Sequence, residues 1–227
     1  ALFVELDRHA GADATLASPS SFLPASSFAG ELAGRHRVLV IHPGNPPYLL
    51  RIAELVPAPF TSPAVVERAS RLVLAVGLQP IVLARETEGF VFNRLQGAVL
   101  REAYRLVGEG VTSAADIDRL MRDGLGLRWS LLGPFETAHL NTRGGIAAHA
   151  ERMGPSYLRM GREHGDNDPW PAATVASVAA DLEQRLPLAD WEAAVAWRDH
   201  TLMALLAARR AVAAPISAPV GDPALGD

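Results

Sequence analysis

Four consecutive apolar residues, Val38 to Ile41, are the most restrictive feature of the sequence. A short, uniformly apolar run with β-branched side chains is typical of a strand that is buried on both faces of a helix-covered sheet. The run ends at His42, and the segment that follows it, Pro-Gly-Asn-Pro-Pro, is compatible only with a turn or loop. The sequence therefore predicts a layered α/β fold with a histidine fixed at the end of a buried strand.

Hydrophobic patterning divides the chain into two parts and a tail. Strands are predicted at 15–17, 38–41, 52–56 and 80–83, and they alternate with helices at 1–10, 24–33 and 63–76. Beyond residue 87 only helices are predicted, at 92–107, 114–122, 133–140, 172–186 and 191–212, with a surface loop at 161–171. We therefore expect an α/β layer over residues 1–86, an all-helical domain over 87–213 and a flexible tail over 214–227.

Composition excludes several classes of function. The 21 basic residues are all arginine, 25 acidic residues outnumber them, and a net charge of −4 argues against a nucleic-acid-binding surface. Without cysteine or lysine, the chain can form no disulfide, thiolate metal site, Schiff base or Walker A loop. The seven histidines show no metal-ligand spacing, so we expect no metal site.

No stretch approaches the roughly 18 apolar residues of a membrane span. The N-terminus shows no basic region or cleavage site of a signal peptide. We therefore expect a cytoplasmic protein with neither a membrane nor a nucleic acid as partner.

His42 and Glu54 form a candidate acid–base pair. The strand predicted at 52–56 returns from the turn after His42 and would carry Glu54 back beside the imidazole. A carboxylate there would fix the imidazole tautomer and stabilise the imidazolium, as a general base requires. A structural histidine near an ordinary surface glutamate is the alternative, and the spacing alone leaves both open.

Further polar residues lie at the ends of predicted elements. The segment Ser18-Pro-Ser-Ser21 follows the first predicted strand, where its hydroxyls would either bind a ligand or cap the next helix. Asn93 lies near the start of the helix at 92–107, in an otherwise apolar segment where its amide needs a partner. That partner is either a structural hydrogen bond or a ligand.

These residues belong to an ordered series of motifs that covers essentially residues 1–210. The series comprises Ser18-Pro-Ser-Ser21, His42-Pro-Gly-Asn-Pro-Pro-Tyr48, Glu54-Leu-Val-Pro57, Glu88-Gly-Phe-Val-Phe-Asn-Arg-Leu-Gln96, Glu102-Ala-Tyr-Arg-Leu-Val-Gly-Glu-Gly110, Asp116-Ile-Asp118, Gly124-Leu-Gly-Leu-Arg128 and Gly133-Pro-Phe-Glu-Thr137 to His139-Leu-Asn141. In this order the motifs resemble the 3-hydroxyacyl-CoA dehydrogenase family, and most closely its branch of lambda-crystallin and L-gulonate 3-dehydrogenase.

The resemblance implies an NAD-dependent dehydrogenase and a role for each site residue. The family's catalytic histidine falls on His42, and the glutamate paired with it falls on Glu54. The active-site serine, which contacts nicotinamide and substrate, falls on Ser21, and the active-site asparagine falls on Asn93. His42 would accept the hydroxyl proton of the substrate while C3 passes a hydride to NAD. Asn45 would lie near the nicotinamide.

The resemblance also implies how the chain is organised. Residues 1–86 correspond to the second half of a Rossmann-like NAD-binding domain, and residues 87–213 correspond to a helical domain that binds substrate and forms a homodimer. The Gly-x-Gly-x-x-Gly turn that opens the family's cofactor domain has no counterpart in this sequence. The acidic residue that would hold the adenosine ribose is absent as well.

Arg128 bears on the substrate class. Leu127-Arg128-Trp129 stands where acyl-CoA members of the family carry a Tyr-Pro-Met type of sequence. An arginine there would hold a substrate carboxylate bidentately and favour a small hydroxy acid such as L-gulonate, unless it pairs with a neighbouring acid. Two other functions stay open: a 3-hydroxyacyl-CoA dehydrogenase and a non-catalytic helical dimerisation scaffold.

Overall fold

The computed structural model describes residues 2–130, 133–142, 145–163, 173 and 187–212. Its first part contains a sheet of four strands in chain order: β1 (Leu16–Ser18), β2 (Val38–Pro43), β3 (Ile52–Pro57) and β4 (Gln79–Val82). β1 is parallel to β2, β2 is antiparallel to β3, and β3 is parallel to β4. All four predicted strands are therefore present, with ends shifted by one or two residues.

Three helices accompany the sheet: α1 (Leu2–His9), α2 (Ser26–Ala29) and α3 (Pro63–Ala75). α3 has proline in its first turn, and just beyond its end lies Gly77, whose φ of +82° only glycine adopts readily. The helix predicted at 24–33 is limited to α2, because Gly30 ends it.

The two faces of the sheet bury different side chains. Along β2, Val38 and Val40 join a cluster with Phe90, whereas Leu39 packs in a second cluster with Val65 and other residues of α3. Successive residues of a strand face opposite sides of the sheet, which explains this division. By the same alternation, the side chain of His42 lies on the face that Phe90 covers.

In the second part of the chain, every regular element that the structure describes is helical. Its helices are α4 (Phe92–Gly108), α5 (Ala114–Leu120), α6 (Gly126–Trp129), α7 (Pro134–Leu140), α8 (Gly145–Glu163) and α9 (Trp191–Val212), with a π-helical turn at Met121–Leu125. Ser113 caps α5, since its Oγ accepts a hydrogen bond from the Asp116 amide at 3.1 Å. The expected fold class, an α/β layer followed by an all-helical part, is confirmed.

α8 is the longest element that the sequence did not predict, and α6 was not predicted either. α8 contains Pro155 and begins at Gly145, and both residue types normally indicate a break in a helix. Its last residues, 161–163, also belong to the segment 161–171, so the loop prediction is wrong for those three positions. The rest of that loop, the helix at 172–186 (apart from residue 173) and the tail at 214–227 lie outside the described residues.

None of the helices that the structure describes is both long enough and apolar enough to cross a membrane.

An ion pair between Asp7 and Arg37 connects α1 to the residue that immediately precedes β2. Buried Arg37 donates from Nη2 to Asp7 Oδ1 at 2.8 Å, and the Gly34 amide donates to Asp7 Oδ2 at 3.0 Å. The Gly34 hydrogen bond and then the Arg37 guanidinium lower the pKa of Asp7 below its ordinary value of 3.8. Any side chain at Gly34 would overlap the Asp7 carboxylate, so glycine is required at this close approach.

Asp7→Asn is expected to destabilise the fold at neutral pH, but not at strongly acidic pH. Because the folded pKa of Asp7 is depressed, its stabilising contribution is complete well above pH 3.8 and is lost as the pH falls through that value towards the folded pKa. Urea midpoints of the two proteins should therefore differ near neutrality and converge on acidification. A difference that is independent of pH would contradict this account of Asp7.

Candidate active site

The strand register brings His42 and Glu54 together. They are directly opposed across the antiparallel β2–β3 pair, and His42 Nδ1 lies 2.8 Å from Glu54 Oε2. Both residues are buried, with 7% and 2% of their surfaces exposed. A carboxylate can only accept, so Nδ1 of the imidazole carries the proton and its N–H donates a hydrogen bond to Glu54. Nε2 of the neutral ring is then left with a lone pair, as a base requires.

The second oxygen of Glu54 is held by the beginning of α4. Oε1 accepts hydrogen bonds from the backbone amides of Val91 at 2.8 Å and Phe92 at 2.9 Å. The first amides of a helix have no partner within the helix, and its N-terminal end is electropositive. Two amide donors and the imidazole therefore fix both oxygens of Glu54 and favour its negative charge.

An unusual backbone precedes those two amides. Gly89 has a φ of +71° and Phe90 a φ of +54°, so two successive residues are left-handed. For a residue other than glycine this conformation costs about 1–2 kcal/mol. The Phe90 ring is fully buried, and its centroid lies 5.5 Å from that of the His42 imidazole. The Phe92 ring meets the same imidazole edge-on at 6.3 Å.

Asn93 and Ser21 are also in contact, but through the backbone of Ser21. Asn93 Nδ2 donates to the Ser21 carbonyl at 2.8 Å, which joins α4 to the loop after β1. The alternative in which these serines cap the next helix is not observed, because the N-cap of α2 is Ala25 and makes no side-chain hydrogen bond. The Ser20 Oγ instead accepts from the Leu23 amide at 2.8 Å within the loop. The Ser21 hydroxyl is exposed and has no hydrogen-bond partner in the described part of the chain.

A surface cleft of about 340 Å³ opens beside Asn93. The loop residues Phe22 and Gly89 line one side, and Arg94 and Leu100 of α4 contribute to its wall. This cleft offers space for a small ligand next to the predicted active-site asparagine.

Asn45 and Arg128 form no hydrogen bond or ion pair with the other predicted site residues. Asn45 is exposed in the turn after β2, and Arg128 is exposed on α6. Within the described ranges, Arg128 has no ion pair or hydrogen bond, so the alternative of a paired arginine is not observed there. The structure thus pairs His42 with Glu54 and Asn93 with Ser21. Neither Asn45 nor Arg128 is hydrogen-bonded to a residue of these two pairs.

The residues present fit the nicotinamide end of NAD. β1 and β2 are parallel, so the loops that carry Ser21 and Asn45 leave the same edge of the sheet, where α/β proteins bind their ligands. The Ser21 hydroxyl and the Asn45 carboxamide have no hydrogen-bond partner among the described residues, so both are suited to hydrogen bonds with the nicotinamide amide. The described residues contain no group of three side chains that would hold a metal ion.

Sequence reasoning missed Phe90, Phe92 and the two amides that hold Glu54. Every residue except proline has a backbone N–H group, so the identity of a residue does not show whether its amide binds a site residue. The only available signal was Gly89, a residue that often marks left-handed backbone, followed by two aromatic residues in three positions.

Comparison with known proteins identifies the family. Residues 1–87 match the model of the 3-hydroxyacyl-CoA dehydrogenase NAD binding domain, and residues 89–178 match the model of the C-terminal domain of the same family. A 3-hydroxyacyl-CoA dehydrogenase of Gibberella moniliformis is 37% identical over 227 residues, covering 97% of this chain and 70% of the fungal protein. The chain belongs to the 3-hydroxyacyl-CoA dehydrogenase family.

One further relative and one solved structure are also similar to this chain. A lambda-crystallin homolog of Bos taurus is 44% identical over 207 residues, which cover 90% of this chain and 64% of the bovine protein. The solved structure of an NAD+-dependent dismutase, 5-formyl-3-hydroxy-2-methylpyridine 4-carboxylic acid 5-dehydrogenase, superposes with a TM-score of 0.75. It is 24% identical, and the match covers 92% of this chain and 67% of that one. The chain spans 64% to 66% of the length of the first lambda-crystallin relatives that it matches.

Membership of the 3-hydroxyacyl-CoA dehydrogenase family confirms the resemblance seen in the sequence. It also places residues 1–87 within an NAD-binding domain. The individual roles of His42, Glu54, Ser21, Asn93, Asn45 and Arg128 stay predictions.

Proposed function

We propose that this chain is the catalytic part of an NAD-dependent oxidoreductase that oxidises the 3-hydroxyl of a small hydroxy acid such as L-gulonate. The observation that carries the proposal is the buried hydrogen bond of 2.8 Å between His42 and Glu54. A buried imidazole whose Nδ1 is bound to a carboxylate is arranged to accept a proton at Nε2.

The reaction removes a hydride and a proton from one carbinol. Bound NAD would supply the acceptor for the hydride that leaves C3. His42 accepts the hydroxyl proton at Nε2 as the C–O bond gains double-bond character, and the products are a ketone, NADH and a proton. The positive charge that develops on His42 is balanced by Glu54, whose two oxygens are already held by hydrogen bonds and need not reorganise.

Ser21 and Asn93 would position the substrate oxygen. The hydrogen bond between Asn93 Nδ2 and the Ser21 carbonyl fixes the two residues relative to each other. The exposed Ser21 hydroxyl is available as a donor, and the cleft beside Asn93 gives a small hydroxy acid room. Ser21 and Asn45 would also contact the nicotinamide, because both follow strands that end at the same edge.

Calorimetric titration of NADH into this chain tests whether it works with NAD. Saturable binding is expected if the loops after β1 and β2 form the nicotinamide site. Absence of binding by a chain that nevertheless forms a stable dimer would favour the scaffold function.

Arg128→Ala is expected to raise KM for L-gulonate while leaving KM for a neutral secondary alcohol unchanged. A charge-assisted hydrogen bond to a carboxylate contributes about 1.5–3 kcal/mol, which corresponds to an increase in KM of about 10–100-fold. Arg122→Ala is the matched control, since Arg122 is exposed close by and pairs with its neighbour Asp123. Equal effects on acidic and neutral substrates would remove Arg128 from substrate binding.

A 3-hydroxyacyl-CoA dehydrogenase is the second candidate activity. It is favoured by the Gibberella moniliformis relative of that name, which aligns over 97% of this chain. Comparing kcat/KM for L-gulonate with that for 3-hydroxybutyryl-CoA decides between the two. A strong preference for the thioester would make Arg128 incidental.

We also propose a cytoplasmic homodimer that associates through the helical part, residues 87–213. Of the described residues beyond Val91, only Thr137 is buried, while large apolar side chains such as Phe135, 80% exposed, and Leu95 face outward. Helices with so much exposed apolar surface are expected to bury it against another chain. Sedimentation equilibrium should give twice the monomer mass of 24.2 kDa, and a monomer would contradict this arrangement.

A further inference from the structure

Four consecutive residues, 90–93, contact His42, Glu54 and Ser21. The Phe90 ring packs on the His42 imidazole, and the amides of Val91 and Phe92 hold Glu54. Asn93 binds the backbone of Ser21. The geometry of this segment therefore decides how the site is assembled.

We propose that Phe90 is a positioning residue, which uses both its left-handed backbone and its buried ring to hold the His42–Glu54 pair in one orientation. The proposal rests on the proposed role of His42 as the base. It adds a residue that touches neither NAD nor substrate and acts through His42 and Glu54.

The backbone conformation of Phe90 orients the amides of Val91 and Phe92, which donate hydrogen bonds to Glu54. The Phe90 amide closes a turn onto the Thr87 carbonyl at 3.1 Å, and the left-handed pair Gly89–Phe90 then reverses the chain immediately before α4. As a result, the amides of Val91 and Phe92 meet one carboxylate oxygen, at 2.8 and 2.9 Å. Such strained backbone persists only where its surroundings enforce it, and here a completely buried side chain provides that constraint.

The ring of Phe90 limits the orientations open to the imidazole. Within the described residues, Glu54 supplies the hydrogen bond to His42, at Nδ1, and the remaining ring contacts are aromatic. Phe90 is tilted by 56° against the imidazole and Phe92 stands at 79° to it, so rotation of the imidazole would have to displace both rings. Removing the Phe90 ring leaves space on one side, into which the imidazole can turn away from Glu54.

NMR of the imidazole nitrogens tests this role without requiring turnover. In the parent chain, when the imidazole of His42 is neutral, we expect a single tautomer with the proton on Nδ1 and slow exchange of that proton with water. In Phe90→Leu we expect a mixture of tautomers and exchange about tenfold faster, the factor that corresponds to loss of an aromatic pair contact. Phe28→Leu is the control, because Phe28 packs on the same core cluster and pairs with Phe3.

The comparison separates positioning from general stability. Phe28→Leu should lower the unfolding midpoint yet leave the His42 signals unchanged. If Phe90→Leu shows the same single tautomer and exchange rate as Phe28→Leu, the proposal is overturned. If Phe90→Leu does not fold, Phe90→Met, which retains more of the buried volume on a flexible chain, is measured with the same criteria. Failure of His42→Ala to reduce turnover would overturn the proposed function instead, independently of these spectra.

Discussion

Replacing His42 by alanine is expected to lower kcat for the oxidation of L-gulonate by about 10²–10⁴-fold, the usual cost of losing a general base. Without the imidazole, the hydroxyl proton must leave to water while the hydride departs. The substrate contacts attributed to Ser21, Asn93 and Arg128 are untouched, so KM should change little. Steady-state kinetics with NAD and L-gulonate give both parameters.

His36→Ala is the matched control for this variant. His36 is exposed in the turn immediately before β2, so its loss removes an imidazole from the same region without affecting the buried pair. Unfolding curves of both variants show whether either is destabilised. A His42→Ala protein that is folded and turns over at nearly the normal rate would end the assignment of His42 as the base.

Glu54→Gln is expected to reduce kcat by up to about 10⁴-fold, the loss known when a catalytic histidine is forced into the wrong tautomer. The glutamine carbonyl can still accept from the amides of Val91 and Phe92, which requires its NH2 group to face His42 Nδ1. Nδ1 must then accept that hydrogen bond, and the imidazole proton moves to Nε2. Nε2, the nitrogen that should receive the substrate proton, then already carries a proton.

The fold should survive Glu54→Gln better than Glu54→Ala. Alanine leaves two amides and one imidazole N–H without an acceptor in a buried site, which costs about 1–3 kcal/mol for each group. Glu67→Gln is the control for the change of charge, because Glu67 is exposed on α3 and pairs with Arg71. Normal turnover by a folded Glu54→Gln protein would show that Glu54 does not set the tautomer of His42.

Much of the sheet could be predicted because its signals are local. The apolar run at Val38–Ile41 and the proline-rich turn after His42 determine a strand and a reversal, and a reversal of that length brings Glu54 opposite His42. The sequence could therefore predict that the strand carrying Glu54 returns beside His42, but its spacing did not distinguish an acid–base pair from a structural histidine.

The remainder of the site depends on contacts between distant parts of the chain. The amides of Val91 and Phe92 reach Glu54 across 37 and 38 positions, and Asn93 reaches Ser21 across 72. The type of a residue does not show which group its backbone amide binds. Phe90 also adopts a left-handed backbone conformation, which residues other than glycine rarely adopt. α8 was not predicted for a related reason. The low helix propensity of Pro155 indicates a break, but contacts in the folded protein allow proline inside this helix.

The central claim is that this chain takes a hydride from C3 of a hydroxy acid and passes it to NAD. L-gulonate carrying deuterium at C3 tests this claim most directly, with mass spectrometry of the NADH and of the oxidised acid after incubation with the protein. We expect NADH that contains one deuterium and a matching amount of 3-keto acid, with both formed far more slowly by His42→Ala. NADH without deuterium, or no NADH from a folded protein that has been saturated with both substrates, would contradict it.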